Sequence, residues 1–215
     1  RRGVRALMLA LALLVLAVPV AVASGSFRIG SPQLDRGRVN SSQDANRDGT
    51  KDLKCGRGYY VYAVTAEGGA WGLYPAFEAV GLWCRSPGGT QAPARTFGAL
   101  ANELFHPPPV GGSGRCEGAN GALTGLNVSS DRFIKTIKAR CGEIFAGSGQ
   151  RTRVDDDGYL ESWIILGPIE NNDAQEGLRC GNRKVVTGLR IGDREDSNET
   201  AFTSLQLFCS TVSGG

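Results

Sequence analysis

"TAFTSLQLFC", residues 200–209, alternates apolar and polar side chains until Cys209 stops the pattern. Alternation of period two is the mark of a strand with one buried face. Counting back from other cysteines finds the same register in "PAFEAVGLWC" (75–84) and "RFIKTIKARC" (132–141). Seven places before the cysteine stand Phe77, Ile134 and Phe202; four before stand Val80, Ile137 and Leu205; two before stand Leu82, Ala139 and Leu207. The six cysteines, at 55, 84, 116, 141, 180 and 209, fall into three pairs of similar spacing. The first members of the pairs, Cys55, Cys116 and Cys180, recur with a period of roughly 60 residues, which marks a three-fold internal repeat.

Forward from the first cysteine of each pair run "CGRGYYVYAVTA", "CEGANGALTGLNV" and "CGNRKVVTGLRI". With a one-residue shift they superpose Val61, Leu123 and Val186, then the small residues Ala63, Gly125 and Gly188, then Val64, Leu126 and Leu189. A small residue between apolar ones in a strand implies close approach of another backbone. Each unit therefore offers two strands whose ends carry cysteines. The repeat selects the pairing Cys55–Cys84, Cys116–Cys141 and Cys180–Cys209 from the 15 connectivities that six cysteines allow. Each bridge should contribute roughly 3–4 kcal/mol through loop closure.

The connecting stretches supply further strands, with "RTFGALANEL" (95–104) reading as a strand or a short helix and "YLESWIILGPI" (159–169) as a strand. The expected fold is all-β: a β-prism of three four-stranded repeats around a pseudo-three-fold axis, spanning 54–215, with three intra-repeat disulfides. Residues 24–53 precede it as an N-terminal segment or supply its first strand.

Residues 1–23 read as a secretory signal, with arginines at 1, 2 and 5, an apolar run, and small residues at Ala21 and Ala23. An uncleaved anchor is the competing reading. Without these residues the formal charge of +3 falls to zero, because the segment holds three arginines and no acid. A neutral mature chain argues against nucleic acid as a partner and against a membrane surface after cleavage. An even cysteine count behind an export signal indicates a disulfide framework in an oxidising, extracellular setting.

"NETAFTSLQLFC" (198–209), "VVTGLRI" (185–191) and Trp163, on the strand-like run upstream of Cys180, together resemble the vitelline membrane outer layer proteins. The resemblance implies a three-repeat β-prism in an extracellular, matrix-associated protein with sugar-binding relatives. This sequence departs from the family pattern at Tyr74 and Pro75 in the first unit and at Asp131 and Arg132 in the second. "SDRFIKTIKARC" (130–141) resembles dermatopontin-like matrix proteins, over that run alone.

Several residues have the chemistry of a site. "DANRDGTKD" (44–52) places Asp44, Asn46, Asp48, Thr50 and Asp52 at the spacing of a Ca²⁺ loop, with Gly49 for the sharp turn. The twelfth position is Cys55, so the alternative is a solvated turn. "GDREDSNET" (192–200) gathers Asp193, Glu195, Asp196 and Glu199, and "RVDDDGYLE" (153–161) a second acidic group. Trp71, Trp83 and Trp163 could each stack on a sugar ring, although a large aromatic in a β-protein is more often core; Trp71, with Tyr74 in the glycine-flanked "EGGAWGLYPAF", is the best platform. His106 is the sole histidine, which disfavours a histidine-based hydrolase or zinc site. Asn40, Asn127 and Asn198 open glycosylation sequons.

The resulting expectation is a secreted, non-catalytic, structural or lectin-like protein engaging glycans or extracellular matrix or envelope components. Its ligand-binding residues would be Trp71, Tyr74, Asp193, Asp196 and Glu199, with Ca²⁺ in the N-terminal loop. The alternatives are a carboxylate-based glycan-processing enzyme and a calcium-dependent adhesin.

Overall fold

The computed structural model describes residues 26–98, 114–146, 152–155, 159–165, 174–196 and 199–214. The expected signal segment and His106 lie outside this set. The described strands are β1 (Phe27–Ile29), β2 (Gln33–Asn40), β3 (Gly49–Lys54), β4 (Tyr60–Trp71), β5 (Tyr74–Arg85), β6 (Arg95–Phe97), β7 (Gly121–Ser130), β8 (Ile134–Phe145), β9 (Arg153–Asp155), β10 (Tyr159–Ile165), β11 (Ala174–Arg179), β12 (Lys184–Asp196) and β13 (Glu199–Gly214). No helix among the described residues is long and apolar enough to cross a membrane.

Three long antiparallel hairpins, β4–β5, β7–β8 and β12–β13, dominate the chain. The cysteine register holds in each: Cys84 lies opposite Val61, Cys141 opposite Leu123 and Cys209 opposite Val186. One residue further along, each first strand bulges, so that pairing resumes at Ala63, Gly125 and Gly188. The positions aligned by counting back from the cysteines fall into one buried cluster, where Phe77, Val80 and Leu82 meet Ile134, Ile137 and Ala139 and also Phe202, Leu205 and Leu207. The period-two pattern thus aims one face of each hairpin at a common core.

The bulges explain how the hairpins are joined. The skipped residues are Tyr62, Thr124 and Thr187, and the carbonyl of each accepts a backbone N–H from a first cysteine: Cys116 to Tyr62 at 2.8 Å, Cys180 to Thr124 at 2.9 Å and Cys55 to Thr187 at 2.8 Å. The chain before each of these cysteines belongs to a sheet other than that of its own hairpin. β3, before Cys55, pairs with β12; β11, before Cys180, pairs with β7; residues 114–116 run beside β4 through the Ala63–Arg115 bridge. Each cysteine is then bonded across to the second strand of its own hairpin, as Cys55–Cys84, Cys116–Cys141 and Cys180–Cys209, with Cα separations of 5.7, 5.4 and 5.6 Å. The pairing is the expected one, and its mechanical role is larger than closing a hairpin. Each cystine links two sheets, and the three together connect the sheets in a closed ring.

The sheets contain five, five and three strands among the described residues, in place of four each. One runs β1–β13–β12–β3 with β2 also on β13, the second runs β10–β8–β7–β11 with β9 on β8, and the third is β4–β5–β6. The first gains a strand because β13, at 16 residues, is long enough to carry β1 and β2 in succession along one edge. Residues 27–54 therefore belong to the sheet of the last hairpin. Of "RTFGALANEL", residues 95–97 form a strand on β5, and the remainder beyond Gly98 lies outside the described residues.

The small residues at the bulges are required by this exchange. A Cβ on Gly188 would lie 2.3 Å from the Leu53 carbonyl oxygen, and one on Gly125 would lie 2.4 Å from that of Leu178. Gly188→Ala must push β3 off β12, and the expected loss is about 1–3 kcal/mol, the usual range for overpacking. Urea unfolding of the oxidised protein measures it; an unchanged midpoint would show that β3 does not press on Gly188.

Candidate functional site

The tips of the three hairpins meet at the end of the molecule away from the cystines. In β4–β5, Trp71 pairs with Tyr74 across a loop of Gly72 and Leu73. Gly72 has φ 61°, the left-handed backbone that the first position of a tight primed turn needs. Leu73 is consequently 94% exposed at the apex. The β7–β8 tip brings Phe133 against Trp71, with ring centroids 5.7 Å apart. Ala76, Phe133 and Ala201, one residue from each hairpin, bury together beneath Trp71. From the β12–β13 tip, Glu199 Oε2 accepts the Gly72 N–H at 3.1 Å, and Arg194 lies over Trp71 at 5.3 Å.

The turn after β2 closes the remaining side. Ser42 N–H donates to the Asp131 carbonyl at 2.8 Å, and Gln43 Oε1 accepts from Arg194 Nη1 at 3.0 Å. Arg132 stacks its guanidinium 4.0 Å from the centroid of Tyr74. Gln43, Trp71, Tyr74, Arg132, Phe133 and Arg194, with the Gly72–Leu73 apex, enclose a cleft of about 240 Å³. Its surface is largely carbon. Such a cleft accepts an apolar ring face, with Arg132 and Arg194 among its lining residues.

Of the expected ligand-binding residues, Trp71, Tyr74 and Glu199 come together here. Asp196 contributes backbone pairing to Glu199. Asp193 points inward: it is 1% exposed, opposite a bulge of β13 at Thr203, and is out of reach of a ligand. Sequence reasoning does not single out Gln43, Arg132, Phe133 or Arg194 as ligand-binding residues. Their signal is adjacency to turns, shared with many residues of no consequence.

The Asp-rich segment does not gather around a centre. Asp44, in a short 3-10 turn, takes Arg38 Nη2 at 2.8 and 2.9 Å and Arg47 Nη1 at 3.0 Å. Asn46 Nδ2 donates to Gln43 Oε1 at 3.0 Å, and Asp48 Oδ2 accepts the Glu195 N–H at 2.8 Å. From Gly49 the chain is extended, so Thr50 and Asp52 are carried along β3 and not wound back. Asp52 pairs with Arg190 at 2.7 and 2.9 Å and with Lys54 at 3.0 Å; chiefly the Arg190 hydrogen bonds hold its carboxyl below the usual range. Among the described residues no three His, Cys, Asp or Glu groups are arranged to hold a metal ion. The spacing of a cation loop is here used to seat arginines and to brace β12.

The remaining candidates are dispersed. Asp155 pairs with Arg153 at 3.0 Å, while Asp156 and Asp157 lie outside the described residues. Trp83 is core, 4% exposed, and Trp163 belongs to β10. Asn40 is exposed at the end of β2, Asn127 is half-buried within β7, and Asn198 lies outside the described residues.

No family model matches this chain, and no solved structure matches it. Part of it is similar to the transcription elongation factor GreA of Chloroflexus aggregans, 32% identical over 76 residues, which is 35% of this chain. The chain spans about half the length of that curated relative, 47%, which is too little to show a family.

Asp193, though out of a ligand's reach, bears on stability. Its Oδ1 is buried without a hydrogen-bond partner among the described residues. Burial, and then the neighbouring Glu195 carboxyl, push the Asp193 carboxyl above its ordinary range, against the pull of Lys51 and its own backbone N–H. The folded state therefore prefers the protonated acid, and stability is lost as pH rises from about 4, the ordinary carboxylate value, through the raised one. Asp193→Asn should raise the melting temperature at neutral pH and flatten this decline. Calorimetry of both proteins at a series of pH values checks it, and parallel curves would remove Asp193 as the cause.

Proposed function

We propose that this is a secreted, non-catalytic protein that holds glycans in the hairpin-tip cleft, as a lectin-like or structural component of an extracellular matrix or envelope. The observation that carries the reading is the convergence of Trp71, Tyr74 and Phe133 from two hairpin tips on one open cleft, with Arg194 and Glu199 from the third closing it. Aromatic faces and planar polar groups are the chemistry that recognises the apolar face and hydroxyl rim of a sugar ring.

The architecture supports the same reading. Three disulfides in an all-β fold suit an oxidising, extracellular location. We take the three sheets as the faces of a β-prism built from three repeats, each repeat a cystine-anchored hairpin. The matching registers, matching bulges and cyclic exchange of strands support this, as does the resemblance of 185–191 and 198–209 to the vitelline membrane outer layer proteins.

Tyr74 is 36% exposed and offers the cleaner test, because Trp71 also packs against Phe133. A glycan array followed by titration calorimetry should identify a bound sugar, and Tyr74→Ala should weaken it about tenfold, equivalent to some 1.4 kcal/mol, with the melting temperature unchanged. Absence of binding across the array, or a ligand indifferent to Tyr74→Ala, would contradict the reading.

A further inference from the structure

We infer that the sugar held in this cleft is an acidic one, a uronate or a sulfated sugar, with its anionic group on the Arg132 guanidinium and its ring against Tyr74 and Trp71. This rests on the glycan reading of the cleft and names the class of ligand.

Arg38 and Arg47 share Asp44, and Arg153 and Arg190, which lie over Phe145 and Phe208, also take Asp155 and Asp52. Arg132 and Arg194 lie over the rings of the cleft, at 4.0 Å from Tyr74 and 5.3 Å from Trp71. Neither has a carboxylate partner among the described residues; Arg194 gives one N–H to the neutral Gln43 and Arg132 is exposed. Contact with a ring uses none of a guanidinium's N–H donors, so those of the exposed Arg132 are left for another partner. Those donors form a fork that fits a carboxylate or sulfate in two parallel hydrogen bonds, the strongest contact available to arginine.

The rest of the cleft orients such a ligand. Its carbon-rich surface favours the apolar face of a sugar ring, which the stacked Tyr74 and Trp71 present beside the two cations. Glu199, held by the Gly72 N–H, repels an acid at its own side, which leaves the Arg132 side for the anionic group. Two unpaired cations around one apolar cleft are costly unless solvent or an anion meets them. In a chain whose formal net charge is only +3, they are a local feature and not part of a broad basic surface.

Titration calorimetry of the whole protein with trigalacturonate, a sulfated galactose trisaccharide and neutral galactotriose separates the possibilities. The acidic sugars, through carboxylate or sulfate, should bind at least tenfold more tightly than the neutral one. Arg132→Gln should abolish that preference, bringing the acidic sugars down to the affinity of the neutral one, with the melting temperature unchanged. Arg28→Gln, an exposed arginine at the opposite end of β13, should change nothing. Equal affinity for acidic and neutral sugars, or the same loss from Arg28→Gln as from Arg132→Gln, would overturn the acidic assignment while leaving the cleft as a glycan site. No binding of any of the three, with none on the array either, would overturn the glycan reading itself.

Discussion

Three backbone hydrogen bonds, from Cys55, Cys116 and Cys180 to the bulged carbonyls of Thr187, Tyr62 and Thr124, fix how this chain is assembled. A bulge exposes a carbonyl that its own hairpin does not use. Here that carbonyl receives the chain that is about to enter a different hairpin, and the cysteine at the crossing is then locked to the second strand of the hairpin it enters. The arrangement repeats around the molecule until each sheet is tied to both others. Strand edges that would otherwise lie open on β4, β7 and β12 are covered by the incoming segments, which removes templates for aggregation. The glycines at 125 and 188 follow from the same crossing, because the arriving backbone occupies the place of a Cβ.

This anchoring at one end leaves the other end to the proposed binding cleft. From the cysteine level β4 and β12 run ten residues to their tips and β7 runs seven, roughly 23–33 Å of strand. The tips are joined by a small apolar cluster of Ala76, Phe133 and Ala201, by the Trp71–Phe133 ring contact and by the Glu199 to Gly72 hydrogen bond. Residues 43–48, after β2, brace the third tip through Gln43 and Asp48. The N-terminal segment is therefore part of the scaffold of the cleft and not a separate loop beside it.

The hairpins, their register and the cystine pairing were legible because period-two patterning and cysteine spacing are local signals repeated three times. What the cystines connect was not legible: that each first cysteine arrives from a foreign sheet is a long-range pairing, between β3 and β12 or β11 and β7, with no mark in sequence beyond a small residue at the bulge. Trp71 and Tyr74 could be read as loop aromatics from the glycines around them. Arg132, Phe133 and Arg194 could not, because their meaning comes from the tips of different hairpins, far from one another along the chain. The Asp-rich motif is the reverse case, a local spacing with partners that the sequence does not announce. Its spacing is that of a cation loop, yet β3 begins in the middle of it, and Asp44 meets the nearby Arg38 and Arg47 while Asp52 meets the distant Arg190.

The central claim is that recognition occurs where the three tips converge. Backbone amide shifts followed by NMR during titration with an oligosaccharide test it most directly. The expected perturbations are confined to Gln43, to Trp71–Tyr74, to Asp131–Phe133 and to Arg194–Glu199, with the cysteine crossings silent. Perturbations centred instead on the opposite end, around Gly56–Tyr59 and Gly181–Arg183, would contradict it.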